Sequence, residues 1–139
     1  LYKSAMVKKE SKLNIKNINT TNIFTLVDLA ISTSKIKNDI SFTKNYDPSI
    51  PEYKLDASSF IKTLNQIFEV FKDKDSVSCS ILLKIGEYIK IDNKKYSLIS
   101  VEIAANEKSD FSSLNVKETN SFILTSDDTK ITIDLPLIL

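Results

Sequence analysis

At 139 residues the chain has the size of one domain, and its 42% hydrophobic and 27% charged content is enough to bury a single core. Its net charge of +1 excludes an overall electrostatic attraction to nucleic acid or to an acidic membrane surface. All nineteen basic residues are Lys, so the forked guanidinium suited to phosphate is absent, and with no His a Ser-His-Asp type triad is excluded.

No apolar run approaches the ~20 residues that span a bilayer. Lys8, Lys9, Glu10 and Lys12 interrupt the amino end, which therefore does not read as a signal peptide. A cytoplasmic protein with no direct membrane insertion and no nucleic-acid partner is expected. The chain opens on Leu1 rather than Met, so a longer parent chain is expected as well. Cys79 is the only cysteine and lies in an apolar run, which reads as a buried structural thiol.

In chain order, residues 1–21 read as a polar lead-in, a short strand or a linker, with Leu13, Ile15 and Ile18 its regular apolar positions. Thr20, Thr21 or Asn22 then caps a helix whose apolar positions Ile23, Leu26, Val27 and Ala30 follow helical spacing to an end near Lys37-Asn38. Alternation over Asp39 to Tyr46 predicts a strand. Pro48 and Pro51 make the next stretch a loop. Asp56 caps a second helix that carries Phe60, Leu64, Ile67, Phe68 and Phe71 on one face and ends in the Lys72–Asp75 charge cluster. Val77 to Ile85 reads as a strand, Gly86 as a turn into Glu87–Ile91, and Asp92-Asn93-Lys94 as a second turn before a strand from Tyr96 to Ala104. Residues 106–120 are polar and unpatterned. Phe122–Leu124 and Lys130–Leu135 flank Asp127-Asp128 as a terminal hairpin. One mixed sheet with both helices on one face makes an α+β, two-layer α/β sandwich.

These words and their order resemble the ATP-binding domain of sensor histidine kinases, of the nitrogen-regulation type. Asn45-Tyr-Asp-Pro-Ser-Ile-Pro51 and Asp56 look like the extended junction that opens the helix bearing the family's Asn box. The strand from Lys95 to Ile103 looks like the one leading to the Asp-Asn-Gly box. The segment from Thr125 through Ile131-Thr-Ile-Asp-Leu-Pro136 looks like the closing hairpin. The resemblance runs from about Ile15 to Leu137 and implies a histidine-kinase/GHKL ATPase-like fold over residues 22–139.

The family's functional residues do not carry over well. Ten and fourteen residues after Asp56, where the family places its two Asn, stand Gln66 and Val70. Gln66 keeps an amide, whereas Val70 has no oxygen for the Mg²⁺ that the second Asn would ligate. Moving the register by one brings Asn65 and Glu69 to these places but turns the helix by ~100° and takes the aromatic face off the core. The family's purine-binding Asp falls on Ala105 and two glycines fall on Glu107 and Ser109, leaving Asn106 as the surviving match. About ten residues without Gly separate Asp110 from the closing hairpin, too few for the lid and its following helix.

On the residues themselves, Asp56 reads as a plain helix cap, and Gln66 and Asn106 as surface polar groups left at nucleotide-site positions. Asp127-Asp128 reads as a turn, Lys8-Lys9 and Lys94-Lys95 as solvated pairs, and Asp47, Glu52 and Asp110 form no acid/base pair. Three readings stay open. The first is a degenerate kinase-like domain with no cofactor and no metal, acting as an interaction or regulatory module of two-component signalling. It would dock a response-regulator receiver domain, a kinase partner or a second copy, and would show an apolar patch near the second helix and the Asn106–Asn120 loop. The second is a piece of a working kinase that binds ATP and Mg²⁺, dimeric through a region not present. The third is an unrelated α+β binding module.

Overall fold

The computed structural model describes residues 7–11, 19–34, 41–109, 111 and 122–139. The positions Leu13, Ile15, Ile18, Lys37-Asn38, Asp39-Ile40, Asp110 and most of the 106–120 run lie outside them, as do the side chains of Lys8-Lys9. Strands β1 (Val7–Ser11) and β2 (Asn19–Thr21) precede helix α1 (Ile23–Thr33), then come β3 (Ser41–Tyr46), β4 (Tyr53–Leu55) and helix α2 (Ala57–Val70). The long strands β5 (Ser76–Ile91) and β6 (Lys94–Ala105) follow, and β7 (Ile123–Ser126) and β8 (Lys130–Pro136) close the fold.

The main sheet is mixed. Strands β5, β6, β8 and β7 pair antiparallel in that order, while β3 and β1 lie parallel along the other edge of β5, β3 against its first half and β1 against its last residues. On one face the register aligns Cys79 with Ile103, Ile103 with Ile131, Ile81 with Val101 and Val101 with Ile133. These rows pack with Ile23, Val27 and Ala30 of α1 and Phe60, Leu64, Ile67 and Phe68 of α2 in one buried cluster. Each buried Ile, Val, Leu or Phe of this cluster contributes about 1.5–3 kcal/mol by leaving water. The alternation of β6 turns Leu98 to the opposite face, where a smaller cluster joins it with Ile89, Ile91 and Ile123.

The helices form where the apolar period sets them. Asn22 caps α1, its Oδ1 accepting the Phe24 and Thr25 amides at 2.9 and 3.3 Å. Ser34 ends the helix in an extended conformation, short of the expected Lys37-Asn38. Hydroxyls explain the early stop: Thr33 Oγ1 donates to the Leu29 carbonyl at 2.9 Å and Ser34 Oγ to that of Ile31 at 2.7 Å, occupying last-turn acceptors.

Two strand expectations are corrected. Gly86 does not reverse the chain. β5 runs through it, with Lys84 opposite Leu98 and Tyr88 opposite Ser97, so the intervening residues form a bulge in which Gly86 takes φ +84. The Tyr53–Leu55 stretch, expected as loop, is strand β4, because β2 supplies an antiparallel partner. The amino-terminal lead-in is thereby tied to the rest, through β1 on β5 and β2 on β4. The second turn holds as expected: Ile91 pairs with Lys94 around Asp92 and Asn93, at φ 49 and 67, a two-residue turn whose twist matches the flanking strands.

Candidate functional site

Asp56 starts the helix on which the site would be built. Its Oδ1 accepts the Ser59 amide at 3.2 Å and Oδ2 the Ser59 hydroxyl at 2.9 Å, which spends both oxygens on the first turn. The face expected to be buried is buried: Phe60, Leu64, Ile67, Phe68 and Phe71 have no solvent exposure. That fixes the rotation of α2 and leaves Asn65 exposed and Glu69 half-buried with its Oε1 on Lys72 Nζ at 2.8 Å. Gln66 and Val70 are half-buried and stand one turn apart on α2.

The connector before α2 is anchored by Asp47. Its Oδ1 accepts the Ser49 hydroxyl and amide at 2.7 and 3.0 Å, and its Oδ2 the Leu83 amide at 3.3 Å. The Ser49 hydrogen bonds, with that of Leu83, hold its carboxyl below the usual carboxylate range. At the end of β3, Tyr46 stacks on Phe24 at 5.3 Å and donates its hydroxyl to Asp28 at 2.8 Å, beside the Lys44 ammonium at 2.9 Å. Partial burial pulls Asp28 upward, but the hydrogen bonds from Lys44 and Tyr46 outweigh it and leave the carboxyl below its ordinary value.

At the end of β6, Ala105 is buried and its amide donates to the Thr129 carbonyl at 3.0 Å. Asn106 follows as an exposed bend residue. Among the described residues no hydrogen bond joins Gln66 to Asn106. The chain beyond Asn106 instead turns onto the carboxyl end of α2. Lys74 Nζ donates to the Lys108 carbonyl at 2.9 Å, the Ser109 amide donates to the Asp128 carbonyl at 2.7 Å, and Phe111 meets Phe71 edge-on at 5.6 Å. Phe122 then meets Phe60 edge-on at 6.0 Å, nearer the amino end of the same helix. Phe111 and Lys74 had no part in the expected site; the one available signal was a lone aromatic inside a polar run.

The Gln66 amide is the one oxygen-bearing side chain at the two expected ligand positions on α2, and Ala105 presents no carboxylate to a purine. Among the described residues no group of three or more acidic or thiol side chains is placed to hold a metal ion. Asp127 serves its turn, accepting the Thr129 and Lys130 amides at 2.9 and 3.0 Å. Lys94 and Lys95 are exposed, the Lys95 ammonium lying 5.8 Å from the Tyr88 ring centre. Cys79 is fully buried, and burial pushes its thiol up to about 12, which removes it as a nucleophile. Among the described residues the exposed large apolar side chains are Leu29, Ile85 and Leu139, none of them on α2 or in residues 106–109; most of the loop where an apolar patch was expected lies outside the described residues.

A mixed sheet carrying two helices on one face, in this order, is the fold of histidine kinase catalytic domains. Among the similar solved structures are two histidine kinases. The histidine kinase AdeS of Acinetobacter baumannii matches with a TM-score of 0.57 at 6% identity, over 91% of this chain and 69% of its own. The histidine kinase domain of the E. coli osmosensor EnvZ matches with a TM-score of 0.50 at 10% identity, over 93% and 92%. No protein-family profile and no curated protein sequence matches the chain. Among the described residues no helix is long and apolar enough to cross a membrane.

Proposed function

We propose that this chain is a degenerate histidine kinase ATP-binding domain, of nitrogen-regulation ancestry, that works as a cytoplasmic interaction or regulatory module in two-component signalling. The observation that carries this reading is the rotation of α2: with its aromatic face fully buried, the magnesium position falls on Val70, which has no donor atom. The buried Ala105 in place of the purine-binding carboxylate supports it, as does the seating of the following loop on Phe71 and Lys74. Gln66 and Asn106 are then remnants of a nucleotide site. The partner is a receiver domain, a kinase or a second copy of the chain.

The likeness to two structures of histidine kinases favours a second reading, a domain that still binds ATP and Mg²⁺ through Gln66 and Asn106. Thermal melting with Mg-ATP or Mg-ADP separates the two. A ligand specific for the folded state stabilises by RT ln(1 + [L]/Kd), about 2.7 kcal/mol at a hundredfold excess over Kd. The degenerate domain shows no shift at millimolar nucleotide. A clear rise that disappears in Asn106→Ala establishes the second reading in its place.

A further inference from the structure

We draw no further inference here: the strongest candidate, the bulge of β5 around Gly86 with its 92% exposed Ile85, is an unpartnered apolar projection, and nothing in the structure shows what covers it.

Discussion

The carboxylate of Asp47 reaches from the end of β3 to the backbone of Leu83, its Oδ2 accepting that amide at 3.3 Å. The Asp-Pro-Ser-Ile-Pro word thus anchors the exit from one strand to its neighbour, a purpose it serves with or without a nucleotide. Asp47 is held below the ordinary carboxylate value of 3.8, as are Asp28 and Asp127. A depressed folded value gives stability that is present above the unfolded value and lost as pH falls through the folded one. The melting temperature should therefore drop as pH is lowered from about 4. Asp47→Ala should melt lower than the parent at pH 6 and lose less than it does on going to pH 3. Equal acid losses in the two proteins would contradict the anchor.

Asp56 caps α2 through the amide and hydroxyl of Ser59. Asp56→Ala should cost about 1 kcal/mol of unfolding free energy in urea, while Asp56→Ser should recover most of it. A parent-like Asp56→Ala would leave the acidic residue without its structural explanation.

The edge-on pair Phe71–Phe111 joins α2 to the loop after β6. Phe71 is fully buried, so Phe71→Ala should cost about 3–5 kcal/mol. Milder Leu substitutions at both positions permit a double-mutant cycle, with an expected coupling of about 0.5–1.5 kcal/mol. Additive effects would mean that the rings do not hold the loop.

Cys79 titrates from about 12 in the folded chain against an ordinary thiol value of 9.0, because burial, then the nearby Asp28 carboxylate, disfavours the thiolate. A raised folded value gives stability that is intact below 9.0 and lost as pH rises toward 12. This group alone should contribute a fall of about 1.4 kcal/mol per pH unit across that range. Cys79→Ala should have a shallower alkaline limb in urea titrations. At pH 8 a thiol reagent should modify the parent only as fast as it unfolds; prompt modification in the native state would refute the burial.

Tyr53 is fully buried in β4, and among the described residues its hydroxyl has no hydrogen-bond partner. Desolvation raises its phenol well above the usual range. An unmatched buried donor costs about 1–3 kcal/mol, so Tyr53→Phe should be neutral or stabilising by about 1 kcal/mol in urea unfolding. Marked destabilisation would reveal a polar contact at that oxygen.

Local chemistry made much of this legible. Asp56 and the spacing from Phe60 to Phe71 set both the start and the rotation of α2. Asp92-Asn93 announced its turn through tolerance of positive φ. Gly86 misled because a positive φ serves a bulge as well as a reversal, and only the partner strand β6, continuing on both sides, distinguishes them. Strand β4 was hidden because three residues between Pro51 and Asp56 carry no periodicity until β2 pairs with them. The seating of Phe111 on Phe71 was illegible for a related reason, since it joins a polar run to a helix far back in the chain.

The parallel seating of Val7 opposite Tyr88 has a consequence for the order of assembly. A parallel partner so distant in sequence has no template until the β5–β6 hairpin exists, and long-range pairing of this kind sets refolding on the scale of milliseconds to seconds. Strand Val7–Ser11 can therefore take its place only once Tyr88–Ile91 has left the ribosome, however early its own residues are made.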